Sequence, residues 1–381
     1  MANYKIVISG YYGFNNAGDE AMLSAILQAL QGTFDSPDIT VISGDPKSTA
    51  ASFGVHTVPR FSISGICRSI FSSDLIISGG GSLLQDVTSW KSMIYYLSII
   101  TLGVLFRKQV FLYSQGIGPV RYRVIRIILK HVLNHVDAIT VRDKESKGFL
   151  HRLGVHRKIY TTADAVLSLA PADLSIGRRI LEEKGIPPEK KKIGLAIRYW
   201  HHSREWMEEL EKTIHRLAKE QDAVIICIPM QFPEDEEAAE AMGKGSEGVY
   251  FLNEDFSIEE LMSIIGNMDV LLGMRLHALI FSALMHVPFL GISYDPKIDN
   301  FLALIGQKAS TSVQHMDGEK LYNDTCRILS SGLDAKDWEK VAALQERACE
   351  NVQILKSLVT HKEENDHKSQ FWSYGRFSFH R

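Results

Sequence analysis

The sequence predicts an α/β protein built as two doubly wound halves. Three observations carry this. Short β-branched runs alternate with glycine-rich or polar turns and amphipathic stretches, the pattern of parallel strands joined by crossover helices. The character breaks once, after Leu169, where prolines and a charge run interrupt the alternation. The length, 381 residues, fits two domains of about 150 residues each plus connections.

The first half, residues 1–170, offers strands at Lys5–Ser9, Ile39–Ser43, Asp74–Ser78, Gln109–Ser114, Ala138–Val141 and Ile159–Thr162. Residues 171–192 read as a connection. A second half, 193–334, carries strands at Ile193–Arg198, Ala223–Pro229, Val249–Leu252, Val270–Gly273 and Pro288–Ser293. Trp338, Val341, Leu344, Ala348, Val352, Leu355 and Val359 keep helical spacing, so 335–361 is a closing helix. The tail, 362–381, is polar and then aromatic; it docks on the body, touches a membrane interface, or stays disordered. Met93–Phe106 is nearly uncharged but shorter than the about 20 residues a span needs, so a buried helix is expected. The helix 121–136 presents Arg123, Arg126 and Lys130 on one face and Val124, Ile127, Ile128, Val132 and Val136 on the other. The basic face is either solvated or rests on anionic lipid.

Composition narrows the function classes. Hydrophobic residues make up 45% and charged residues 23%, which excludes a disordered or fibrous chain. The formal charge of −3 argues against a nucleic-acid partner. Cys67, Cys227, Cys326 and Cys349 form no CxxC pair, and the opening MANYKIVISGYYG lacks the apolar stretch of a secretory signal; both point to the cytoplasm. No cluster has metal-ligand spacing.

The chemistry gathers where strands end. The first turn, Gly10 to Glu20, puts glycines against a helix start that carries Asn16, Asp19 and Glu20. Two carboxylates there disfavour a phosphate and suit a hydroxyl-rich ligand, unless Asp19 simply caps the helix. Gly79, Gly80 and Gly81 follow the strand DLIIS, and three consecutive glycines imply close approach of a ligand or of another segment. SQGIGP, with Gln115, lies on the same rim. In the second half Arg275 and His277 stand where a strand opens into an apolar helix, and Arg198 ends another strand. Each arginine alone is explained by a salt bridge; together with His277 at matching sheet ends they form a preformed anion site. Lys297, in SYDPK, adds a third positive charge, although a proline-punctuated turn needs no function.

GYYGFNNAGDEA, SGGGSLLQD, SQGIGP, RDKES, GMRLHALIFS and GISYDPK together resemble the polysaccharide pyruvyltransferase family, in particular its bacterial cell-wall-polysaccharide members. The resemblance runs from about Tyr4 to Ala303. It implies a GT-B-like architecture, two Rossmann-like domains facing across a cleft. It also implies transfer of pyruvate from phosphoenolpyruvate to two hydroxyls of one sugar as a ketal, with no cofactor beyond that donor substrate. Through the RLH motif it assigns Arg275, Leu276 and His277 to phosphoenolpyruvate, with Arg198 alongside, and Lys297 joins them from its place on the rim. The acceptor it implies is a lipid-diphosphate-linked sugar containing N-acetylmannosamine, met at the inner face of the membrane.

That chemistry needs donors for a carboxylate and a phosphate, which arginine forks supply. It also needs proton movement, for which His277 is the candidate general acid and Asp19 the candidate base. Asn16, Glu20, Gly79, Gly80, Gly81 and Gln115 are the remaining acceptor-side candidates. A nucleotide-sugar glycosyltransferase of the same architecture is the main rival, and a non-catalytic sugar-binding module is the other.

Overall fold

The computed structural model describes residues 4–87, 89–200, 205–240, 242–243 and 246–374. Its first sheet is made of β1 (Lys5–Ser9), β2 (Asp38–Ser43), β3 (His56–Pro59), β4 (Leu75–Ser78), β5 (Gly81–Leu84), β6 (Gln109–Ile117), β7 (Ala138–Val141) and β8 (Ile159–Thr161). The order is β3-β2-β1-β4-β6-β7-β8, with β5 pairing on β6, and every pairing is parallel. The second sheet contains β9 (Lys191–Ala196), β10 (Ala223–Cys227), β11 (Val249–Phe251), β12 (Val270–Gly273), β13 (Phe289–Ser293) and β14 (Thr311–Ser312). Its order is β11-β10-β9-β12-β13-β14, again parallel throughout. Strands such as VLLG of β12 are buried along their whole length, as expected of a sheet covered by helices on both faces.

Chain order reverses direction between β1 and β4 in one sheet and between β9 and β12 in the other. Crossover helices leave in opposite directions there, so the strand ends splay and leave room for a ligand. The residues that follow β9 and β12 include Arg198 and Arg275.

Contacts divide the described chain into two compact units. One gathers residues up to Tyr11, Leu23–Ala165 and residues from Glu346 onward; the other gathers Tyr12–Met22 and Val166–Gln345. The Asp19 segment is therefore grouped with the second sheet: Ala17 N donates to Met230 O at 2.8 Å, and Asn16 forms an antiparallel bridge with Gln231.

Local departures from the sequence expectation have physical causes. Gly81–Leu84, expected as a turn, is a strand, because Gly81 takes a positive φ of 87° and redirects the chain onto β6. The stretch 171–192 contains the helix Leu174–Glu183. Its Gly177 leaves no room for a side chain against the Ser263 backbone, and Gly177 N donates to Ser263 Oγ at 2.6 Å. Met93–Phe106 lies largely within the helix Trp90–Leu105, which buries Met93, Tyr96, Leu97, Ile99 and Ile100. Among the described residues no helix is long and apolar enough to cross a membrane. The helix expected over 121–136 is Arg123–Leu133, and its buried side is Ile125, Leu129, Val132 and Leu133. Val124, Ile127 and Ile128, which the sequence groups on one face with Val132 and Val136, are exposed while those two are buried. The closing helix runs over Ala335–Tyr374, burying Val341, Leu344, Ala348, Leu355 and Val359. His201, His202, Arg204 and the end of the aromatic tail lie outside the described residues.

Candidate active site

In the unit of the second sheet, three cations act on one phenol. Arg198 Nη1 donates to Tyr294 Oη at 3.4 Å, and its guanidinium lies 5.6 Å from the Tyr294 ring centroid. Trp200 flanks the same guanidinium at 5.8 Å. Arg198 Nε is buried and has no hydrogen-bond partner among the described residues. Lys297 Nζ stands 5.6 Å from the Tyr294 ring and 4.0 Å from Asp295 Oδ2. Burial alone would raise the Tyr294 phenol, but the Lys297 charge, the bond and charge of Arg198, and the Arg275 charge together hold it below its ordinary value. A group that loses its proton more readily in its site marks a positive local potential. Arg198, Lys297 and Arg275, three of the expected site residues, therefore act on one region at the carboxyl ends of the sheet.

Arg275 is the N-cap residue of the helix Leu276–Leu284. It makes a two-pronged ion pair with Asp235: Nε donates to Oδ2 at 3.0 Å and Nη2 donates to Oδ1. Asp235 is buried, and its Oδ2 also accepts from Met230 N at 3.1 Å and Gln231 N at 3.0 Å. Arg275 Nη2 reaches Gln231 Oε1 at 3.4 Å, and the same oxygen accepts from Asn16 Nδ2 at 3.5 Å. Asn16 and Arg275, from motifs far apart in the chain, are thus joined through Gln231. Leu276 is buried in the apolar interior.

Asn16 caps the helix Ala17–Gln31, its Oδ1 accepting from Gly18 N at 3.1 Å and Asp19 N at 3.4 Å. Capping falls to Asn16, which leaves Asp19 in the first helical turn. Gly18 packs on the imidazole of His277, so closely that a methyl group there would collide with Nδ1 and Cγ. Glu20 Oε1 accepts from Gly13 N at 2.7 Å. Burial, opposed by that bond and assisted by the charges of Asp19 and Asp255, pushes the Glu20 carboxyl up to about 7. A carboxyl that exchanges its proton near neutrality thus lies two residues from the glycine that seats His277.

The other unit holds the glycine rim. Gly79, Gly80 and Gly81 are buried, and Gly79 N donates to Ser9 O at 2.8 Å. Gln115 is buried, and its Nε2 donates to Ser78 Oγ at 2.7 Å and Gly79 O at 2.9 Å. Its Oε1 is buried without a hydrogen-bond partner among the described residues. RDKES locks the same rim: Ile117 N donates to Ser146 Oγ at 2.9 Å, and Arg142 bonds Asp164 at 3.0 Å and Ser82 Oγ at 3.1 Å.

Sequence reasoning missed Gln231, Asp235, Gly18 and the role of Tyr294. The available signal was PMQFPED after β10, where a glutamine and two acids follow a strand end. A buried carboxylate is recognisable only once its arginine is beside it.

Solved structures share the architecture. A UDP-GlcNAc 2-epimerase from Methanocaldococcus jannaschii aligns at TM-score 0.65 and 13% identity, covering 93% of this chain and 99% of that one. A UDP-GlcNAc 2-epimerase from Neisseria meningitidis, bound to UDP-GlcNAc, aligns at 0.61 and 11%, covering 94% and 100%. The E. coli ADP-heptose lps heptosyltransferase II aligns at 0.51 and 14%, covering 86% and 98%. At such identities the likeness establishes the GT-B type of fold alone. No curated protein matches the chain by sequence. A family match, to polysaccharide pyruvyl transferase, runs over residues 16–296 and takes in the Asn16 cap, the glycine rim, RDKES, Asp235, Arg275, His277 and Tyr294. On that match the chain belongs to the polysaccharide pyruvyl transferase family.

Proposed function

We propose that this pyruvyl transferase takes its pyruvate from phosphoenolpyruvate and joins it as a ketal to two hydroxyls of one sugar, releasing phosphate. The observation that carries the reading is the group of cations, Arg198, Lys297 and Arg275, acting on Tyr294 at the ends of β9, β12 and β13. Phosphoenolpyruvate carries a carboxylate and a phosphate on a small rigid enol, and separated cations match that charge. Arg198 has an unused buried donor, and Arg275 is oriented by Asp235.

A proton added to the terminal enol carbon leaves an oxocarbenium-like centre. One sugar hydroxyl adds to it and gives up its proton. Phosphate then departs with its bonding electron pair, and the second hydroxyl closes the ketal with loss of its own proton. His277 is our candidate for delivering the first proton and Asp19 for accepting one from the acceptor. Glu20, held at about 7, is able to do either near neutral pH.

The acceptor we propose is a lipid-diphosphate-linked cell-wall precursor containing N-acetylmannosamine, met on the cytoplasmic side of the membrane. The test is mass analysis of such a disaccharide after incubation with phosphoenolpyruvate, with phosphate release followed in parallel. A pyruvate ketal formed with stoichiometric phosphate supports the reading. Nucleotide release from a nucleotide sugar, with no ketal, would replace it with the glycosyltransferase alternative.

A further inference from the structure

We propose that the helices Ile63–Ser72, Trp90–Leu105 and Arg123–Leu133 form a surface that docks on anionic lipid bilayers, with apolar side chains entering the interface. Helix Trp90–Leu105 packs against both of the others, so the three present neighbouring faces. Of the thirteen exposed large hydrophobic side chains among the described residues, twelve lie between Phe61 and Ile128. Phe61 is 80% exposed, Ile63 78%, Leu105 69% and Val124 68%. Hydrophobic side chains scattered singly over a surface need no explanation, whereas a concentration of this kind marks an interaction site.

The charges choose the partner. Residues 60–72, 89–108 and 120–135 carry nine Lys and Arg and no Asp or Glu, in a chain whose net charge is −3. Around the helix Arg123–Leu133, the sector of Arg126, Lys130 and Arg123 adjoins the exposed sector of Ile127, Val124 and Ile128, opposite the buried side. That arrangement lets apolar side chains enter a bilayer while cations stay at the headgroups. Aromatic rings stand among the cations: Arg60 lies 5.0 Å from the Phe61 centroid and Lys108 lies 5.6 Å from that of Phe71, which meets Phe106 edge to face. A second copy bound face to face would set cations against cations, whereas an anionic bilayer complements them. With no helix among the described residues long and apolar enough to cross, the surface lies on the membrane.

The proposal extends the lipid-linked acceptor reading but does not need it, because vesicles without any acceptor test it. The full chain should cosediment with phosphatidylcholine–phosphatidylglycerol vesicles at low salt and not with phosphatidylcholine alone, and the bound fraction should fall as salt rises. The combined variant Val124→Ser, Ile127→Ser, Ile128→Ser, at exposed positions, should weaken partitioning by about tenfold or more while its melting temperature stays unchanged. Trp90→Phe should remove the vesicle-induced blue shift of tryptophan emission. Absence of wild-type binding to anionic vesicles at low salt would overturn the proposal. So would unchanged partitioning of the triple serine variant, or a self-associating chain that the same variant returns to monomer.

Discussion

Arg275 and Asp235 are held in a two-pronged ion pair in which the arginine side chain is 11% exposed and the aspartate 2%. Removing one member leaves the other charged in a dry place, a loss of about 3–5 kcal/mol. Asp235→Ala should lower the melting temperature accordingly. The double variant Asp235→Leu, Arg275→Met should be less destabilised than either single change, a coupling that a thermal-denaturation cycle reads directly. Additive losses would mean that the pair contributes no more than its separate contacts.

Arg275→Ala should weaken phosphoenolpyruvate binding by some ten- to a hundredfold, the effect of a charge-assisted hydrogen bond of about 1.5–3 kcal/mol. Arg275→Lys should not restore it, since an ammonium cannot keep both prongs on Asp235 and face an anion as well. Donor KM measured at saturating acceptor is the check, and a wild-type value would remove Arg275 from the donor site.

His277→Gln should bind phosphoenolpyruvate nearly normally yet lose turnover by about 10²–10⁴. Gly18→Ala reaches the same residue from the other side, because the added methyl collides with the imidazole and must turn it. It should reduce kcat with little change in donor KM. Should His277→Gln turn over at the wild-type rate, the proton comes from another group.

Glu20 gives a pH signature. Its carboxyl is held at about 7 in the fold against an ordinary value of 4.5, so the folded chain binds that proton more tightly than the unfolded chain. The associated stability is complete below about pH 4.5 and is lost as pH rises through 7. Glu20→Gln keeps an oxygen for Gly13 N but has nothing to ionise. It should melt like wild type near pH 4.5 and be more stable at pH 8 by about 1–3 kcal/mol. An equal difference at both pH values would refute the assignment.

Much of the fold was legible because strand runs such as KIVIS and VLLG are β-branched or aliphatic and bounded by glycine, signals that survive without tertiary context. The strands His56–Pro59 and Thr311–Ser312 were not legible, being short edge strands that sheet pairing alone defines. Helix Arg123–Leu133 misled for a different reason. Both of its long sides are apolar, and only packing decides that Ile125 and Leu129 go inward while Ile127 and Val124 stay out. Within the candidate site, Arg198, Arg275, His277 and Asn16 were singled out by their places at strand ends and helix starts. Asp235 and Gln231 were not, because their roles consist of partners about 40 and 215 residues distant in sequence.

The shared oxygen of Gln231 fixes a direction for the whole link from Asn16 to Asp235. Asn16 Nδ2 and Arg275 Nη2 both point donors at Oε1, so the Gln231 amide cannot be turned over without setting nitrogen against nitrogen. The link runs only through side-chain amides and a guanidinium, groups that serve here as hydrogen-bond donors and acceptors. The link is therefore a strut and not a relay: it transmits position from the first helix to the arginine, and any proton that moves during turnover has to travel by another route.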